Sequence, residues 1–269
     1  MTFLLSPQQL HDMLTSPQLR VVEVATSSVG YGESHIPGAV LLPYSALNIE
    51  RGDAKGEVPN PAQLTALLEQ LAITPDSQVV IYDREGGGRA ARLLWTLDLL
   101  QHPSSYVLDG GWLRCLAAGL ETTPTPSQFP PTQYPLNELC EAIRIDKMAL
   151  LAALNEDNLV IWDTRSAAEY HGDKALAARG GHIPGAVNYE WTRAIDAQAP
   201  HRLKPLVKIS DELAELGISP DKRVICYCQT HHRSAFAYML MKALGFSHIQ
   251  AYPGSWSEWG NDPSLPIEV

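Results

Sequence analysis

The sequence predicts an open α/β fold built twice, each copy a mainly parallel sheet flanked by helices. Three observations lead there. His35-Ile36-Pro37-Gly38-Ala39-Val40 recurs as His182-Ile183-Pro184-Gly185-Ala186-Val187, a six-residue identity in corresponding places. Residues 64–82 parallel 213–227, and Gly110-Gly111-Trp112 parallels Gly254-Ser255-Trp256, in the same order along the chain. Within each copy, short apolar runs alternate with stretches of helical spacing, the pattern of parallel strands joined by crossover helices.

In the first copy, Ser6 caps a short amphipathic helix over 7–14, with Pro7 at its first turn. Strands are expected at 20–24 and 39–42. Apolar residues at 64, 67, 68 and 71 give helical spacing over 61–72. Residues 78–82 form a nearly continuous apolar run, as in a strand buried on both faces. A helix over 89–100 and a strand at 106–108 complete the copy. The second copy repeats this with a helix at 147–154, strands at 158–162 and 185–188, a helix at 211–216, a strand at 223–227, a helix at 234–244 and a strand at 248–252. Between the copies, residues 121–135 hold five prolines, which deny helix and central strand and give a stiff, exposed connection. The expected division is a first domain over 1–122, a linker over 123–142 and a second domain over 143–269.

Composition narrows the function. The chain has 269 residues, 45% hydrophobic and 19% charged, with a net charge of −10. That acidity argues against nucleic acid or an anionic membrane as a partner, and it requires a local positive field wherever an anionic substrate binds. No apolar run approaches the about 20 residues of a membrane span. The first residues lack the basic and apolar regions of a secretory signal. Four cysteines do not make a disulfide framework in a chain of this size, so a reducing cytoplasm is the expected compartment.

The chemistry concentrates in residues 224–235. A β-prone run ends at Cys228, a polar turn follows with His231, His232 and Arg233, and a helix begins. Strand, tight loop and helix put a nucleophile at the carboxyl end of a strand and above a helix N-terminus. Cationic neighbours and a helix start lower a thiol's pKa, and successive loop amides can form an anion nest. Cys228 is therefore the expected nucleophile, with Gln229, Thr230, His231, His232 and Arg233 as its binding loop. His231 and His232 either supply positive field or simply line a solvated mouth. Arg233 either meets substrate or pairs with a carboxylate. Cys226, earlier on the same strand, reads as a buried strand residue, and Cys115 and Cys140 have no evident role. The spacing of Cys226, Cys228, His231 and His232 fits no zinc site. Four residues separate Cys228 from Arg233. Cysteine-dependent phosphatases hold one more, a loop wide enough for phosphate; the shorter loop suits a single sulfur atom.

These motifs resemble the rhodaneses, or thiosulfate sulfurtransferases, of the tandem-domain type. The resemblance covers essentially the whole chain. It rests on Asp163-Thr164-Arg165 with Glu169-Tyr170, on 181–188, on the loop Cys228-Gln229-Thr230-His231-His232-Arg233-Ser234, and on 254–259. The loop is similar to that of a bacterial subgroup. The resemblance implies a ping-pong transfer without metal or organic cofactor: Cys228 takes the outer sulfur of thiosulfate, and cyanide, a thiol or a protein accepts it. A sulfur-carrier role for a partner protein is the alternative, ahead of a cysteine phosphatase or a 3-mercaptopyruvate sulfurtransferase. Asp163 and Arg165 are expected to brace the loop, His182 to hold its turn, and Trp191 to line the mouth, while Trp256 and Trp259 pack. Glu169 stands where mammalian rhodaneses carry an arginine, and Gln229-Thr230-His231 matches neither their Arg-Lys-Gly nor the Gly-Ser-Gly of mercaptopyruvate enzymes, so neither subgroup's substrate choice carries over.

The first copy has Asp83 in the place of Cys228. A carboxylate cannot carry a persulfide. Asp83 and Glu85 are expected to repel anions from the glycine-rich turn 86–88, leaving the first domain a structural partner that helps wall the site.

Overall fold

In the computed structural model, which describes residues 3–135, 138–199 and 201–269, the chain forms two compact units. Unit 1 comprises Met1–Leu47, Pro59–Cys140 and Asp196–Leu203; unit 2 comprises Asn48–Val58, Glu141–Ile195 and Lys204–Val269.

Unit 1 holds a five-stranded parallel sheet. Its strands are β1 (Leu4–Leu5), β2 (Leu19–Ala25), β3 (Ala39–Pro43), β6 (Gln78–Tyr82) and β7 (Ser105–Leu108), in the order β1-β7-β6-β2-β3. Its helices are α1 (Pro7–Met13), α2 (Val29–Glu33), α3 (Pro61–Gln70), α4 (Gly88–Leu99) and α5 (Gly111–Ala117). The expected start of α1 is found: Ser6 and Gln9 form a reciprocal capping box with Pro7 inside the first turn. Asn60, Pro61 and Gln63 repeat that device on α3. In β6, Val79, Val80, Ile81 and Tyr82 have no exposed surface, as a central parallel strand requires.

Unit 2 holds a four-stranded parallel sheet of β8 (Leu159–Asp163), β9 (Val187–Asn188), β10 (Arg223–Tyr227) and β11 (Ile249–Ala251), in the order β11-β10-β8-β9. The helices α6 (Lys147–Ala153), α7 (Ala167–Tyr170), α8 (Leu206–Ala214), α9 (Arg233–Ala243) and α10 (Ser255–Trp259) surround it. The helix expected at 211–216 lies earlier in the chain: Ile209 and Leu213, one turn apart, are its buried face. The place of β1 is taken by one isolated bridge, Arg144 to Ala251.

Two segments depart in part from the reading of the sequence. The proline-rich stretch is mostly exposed, as expected, yet it is packed down near its end; Leu136 and Asn137 of the linker lie outside the described residues. Tyr134 is buried with its hydroxyl 3.0 Å from His102, and the Thr132 hydroxyl donates to the Ile73 carbonyl at 2.8 Å. The second departure is an antiparallel hairpin, β4 (Ile49–Arg51) and β5 (Ala54–Glu57), turning at Gly52-Asp53. It comes from the first half of the sequence but belongs to unit 2, where β5 lies against α10 and the Lys55 N–H donates to the Ser257 hydroxyl at 3.2 Å. Among the described residues no helix is long and apolar enough to cross a membrane.

Candidate active site

The site is assembled at the carboxyl ends of β8 and β10. Register pairs Tyr227 with Asp163, so the residues that follow each strand emerge side by side. Cys228 is the first residue after β10 and is fully buried. The chain then turns through His231, whose φ of +54° lies in the left-handed region, and enters α9 at Arg233. A non-glycine residue held there stores strain that the surrounding bonds must outweigh.

Those bonds are specific. The Ser234 hydroxyl donates to the Cys228 sulfur at 3.5 Å, and His231 Nδ1 lies 2.7 Å from the same Ser234 oxygen. With the hydroxyl hydrogen aimed at sulfur, His231 carries a hydrogen on Nδ1 and donates it to Ser234. His231 is thus buried within the loop and does not line a solvated mouth. The Cys228 N–H donates to the Ser255 hydroxyl at 3.3 Å, while the Trp256 and Ser257 amides bond the Cys228 and Gln229 carbonyls at 2.9 and 3.0 Å. The loop is clamped from below by the start of α10.

Burial by itself pushes the Cys228 thiol up. The charge of Arg233, the Ser234 hydroxyl and the amides of Ser234 and Thr230 outweigh it and hold the thiol below its ordinary value. Cys226 shows the contrast two residues earlier: it is as deeply buried, but burial dominates and its thiol is pushed well up. Cys226 contacts the Ser234 carbonyl at 3.2 Å and stays an inert strand residue. Burial likewise raises Cys115 to about 12.

Arg233 is engaged by a carboxylate. Its two terminal nitrogens reach the two oxygens of Glu169 at 2.7 and 2.9 Å, a bidentate pair. Burial would raise Glu169, yet Arg233 and the Ser166 hydroxyl and amide hold it at about 2. Glu169, Ser234 and Ser255 lie within the motifs quoted from the sequence, but the reading gave them no role in the site. A signal for Glu169 was available: Ser166 and Glu169 form a capping box on α7, which turns the glutamate back toward the residues that follow β8.

The supporting residues sit one layer away from the sulfur. Arg165 forks onto Asp163 at 2.5–3.0 Å and bonds the Gly181 carbonyl at 2.7 Å. Tyr227 donates to the Asp163 carboxylate at 2.6 Å and accepts the Ile183 amide at 3.2 Å. This buried ion pair therefore ties β8 to β10 and to the His182 turn, and it does not reach Cys228. His182 stacks on Tyr170 at 3.7 Å, with Nδ1 2.9 Å from the Tyr170 carbonyl, which fixes that turn. Trp191 presents its ring edgewise to His232 at 5.7 Å and to Phe236 at 5.1 Å, so it stands beside the loop. Gln229 donates to the Leu176 carbonyl at 3.0 Å, and Leu176 is 51% exposed.

Unit 1 repeats the frame with other contents. Tyr82 donates to Glu23 at 2.5 Å and His35 stacks on Tyr31 at 3.8 Å, matching Tyr227 with Asp163 and His182 with Tyr170. At the position of Cys228, the Asp83 carboxylate accepts the amides of Glu85, Gly87, Arg89 and Ala90 at 2.8–3.0 Å. Asp83 occupies the cradle itself and takes up the loop amides that another anion would need.

With the geometry in hand, comparison with known proteins identifies the family. The model of the rhodanese-like domain matches residues 6–118 and again 147–262. The chain belongs to the rhodanese-like family. A thiosulfate sulfurtransferase of Azotobacter vinelandii is 41% identical over 267 residues, spanning 98% of this chain and 96% of that protein. A sulfur carrier protein, TtuD, of Thermus thermophilus is 29% identical over 276 residues, spanning 98% and 95%. In fold, this double rhodanese is similar to an anaerobic ergothioneine biosynthesis enzyme from Chlorobium limicola, with a TM-score of 0.89 at 24% identity, covering 99% of this chain and 70% of that one.

Proposed function

We propose that the protein is a sulfurtransferase that moves the outer sulfur of thiosulfate to a thiophilic acceptor through a persulfide on Cys228. One observation carries the reading. A fully buried cysteine has its thiol held down, against the effect of burial, by Arg233, Ser234 and the loop amides. That arrangement favours the anionic sulfur over what burial alone would allow, and an anionic sulfur is what the transfer needs. The Cys228 thiolate attacks the outer sulfur of thiosulfate. A new sulfur–sulfur bond forms, the old one breaks, and sulfite leaves with its electron pair. The acceptor then attacks the terminal sulfur, and Cys228 returns as thiolate. The loop amides and the α9 N-terminus stabilise the anion at each stage. Arg233 acts through its charge, with two of its five N–H donors holding Glu169. Cyanide, small thiols and proteins are the acceptor classes, and the cytoplasm is the compartment assigned, in keeping with four free cysteines.

The likeness to a protein named as a sulfur carrier supports a second reading, in which the persulfide is handed to a partner protein. Mass spectrometry after incubation with thiosulfate tests both. The expected result is a gain of about 32 Da that maps to Cys228 and is absent from Cys228→Ala. Discharge by cyanide, with release of thiocyanate, supports the first reading, and discharge by a protein acceptor alone supports the second. A folded protein that takes up no sulfur, or takes it elsewhere, overturns both.

A further inference from the structure

The hairpin of β4 and β5 meets the catalytic loop at a glycine. Gly56 lies on β5 and is buried. A Cβ built on it would stand 2.6 Å from both the carbonyl carbon and the oxygen of Thr230, and would also meet the Pro253 carbonyl. Cβ atoms do not approach backbone atoms so closely in folded proteins, and neither contact is a flexible side-chain end that could swing away. The hairpin and the loop therefore touch backbone to backbone, which only glycine permits.

The residue touched is the one that matters. The Thr230 N–H is among the groups that hold the Cys228 thiol down. The Thr230 carbonyl shares its peptide plane with the N–H of His231, the residue held at a φ of +54°. Pressure on that carbonyl thus bears directly on the loop's strained turn and, across the Thr230 Cα, on the adjoining peptide that carries the sulfur's amide donor. Pro253, the second contact, lies just before the α10 start that clamps Cys228 from below. The strand's other anchor, from the Lys55 amide to Ser257, joins the same clamp.

We propose that Gly56 is a positioning residue for the catalytic loop: by fixing the Thr230 carbonyl, β5 sets the backbone angles at Thr230 that aim its N–H at the Cys228 sulfur. The idea rests on Cys228 being the nucleophile. It gives the first half of the sequence a part in the chemistry through a segment outside its own sheet.

The test is the ultraviolet titration of the thiolate in the full chain, read as the difference from Cys228→Ala. In Gly56→Ala the Cys228 step should move upward by about one pH unit, the value of one weakened hydrogen bond to a charged sulfur. The pH profile of persulfide formation should move with it. Ser257→Ala, which frees the same strand without adding atoms, should shift the step in the same direction by less, and it serves alone if Gly56→Ala does not fold. Folded variants with a lower melting temperature but an unmoved step would make the glycine merely structural and overturn the proposal. A titration step that persists in Cys228→Ala would instead overturn the nucleophile assignment, whatever Gly56→Ala does.

Discussion

In unit 1 the amides after β6 close on the carboxylate of Asp83; in unit 2 the amides after β10 turn toward the sulfur of Cys228. Both loops place the first helical residue five positions after the strand-end residue, Gly88 after Asp83 and Arg233 after Cys228. Glu85 and Arg89, two of the donors to Asp83, occupy the positions of Thr230 and Ser234, the donors to Cys228. The difference teaches what the loop is for. An aspartate oxygen stands two bonds beyond Cβ, where the terminal sulfur of a persulfide would stand. Unit 1 thus fills its cradle with a side chain of its own, and in the proposed transfer unit 2 keeps the same cradle for an anion that comes and goes.

Exchanging the contents gives the largest expected effect. Cys228→Asp should abolish sulfur uptake and thiocyanate release while melting no lower than the parent, because a carboxylate satisfies the loop amides as Asp83 does. Residual transfer would sink the nucleophile assignment. A variant that cannot fold would show that the two cradles are not equivalent after all.

The second difference is the ion pair over the loop. Unit 2 has Glu169 before Tyr170 and Arg233 at the start of α9; unit 1 has Gly30 before Tyr31 and Gly88 at the start of α4. Glu169 is held at about 2, against 4.5 for a free glutamate, with Arg233 and Ser166 outweighing burial. Its folded-state value is depressed, so its contribution is present above pH 4.5 and fades as pH falls toward 2. Glu169→Gln should therefore cost on the order of 3 kcal/mol near neutral pH, by the conversion of such a shift. Denaturant unfolding as a function of pH checks it: the gap between parent and variant should narrow through that acid window. A gap that stays constant with pH would assign the loss to packing and not to charge.

How much of this was legible follows from the distances along the chain. The runs at 78–82 and 223–227 announce central strands, because after Gln78 and Arg223 each is an unbroken series of β-branched residues ending in tyrosine, with Cys226 the one other residue type. Cys228 at the end of such a run, with His-His-Arg after it, is local and readable. The pairing of Arg233 with Glu169 joins residues 64 positions apart, and only the α7 capping box hinted at where Glu169 points. The Gly52-Asp53 turn is a local hairpin signal. Which unit that charged hairpin serves depends on the contact of Gly56 with Thr230, which no periodicity encodes. The packing near the end of the proline-rich stretch was hidden for a related reason: proline denies regular structure but does not forbid packing, and Tyr134 is buried against His102.

The smallest effect on transfer is expected where the frame is the same but the chemistry is absent. Asp83→Asn keeps one acceptor oxygen and turns an NH2 group toward amides that need an acceptor. Two of the four bonds to the carboxylate are lost or become repulsive, so the variant should unfold about 2 kcal/mol more easily. Turnover per folded molecule should stay within about twofold of the parent, since no donor to the Cys228 sulfur is altered. Thiocyanate release measured beside denaturant unfolding separates the two quantities. Equal losses in both would mean that the Asp83 cradle takes part in the transfer. Stability lost with turnover kept would fix the resident carboxylate as the structural stand-in for the anion that unit 2 binds and releases.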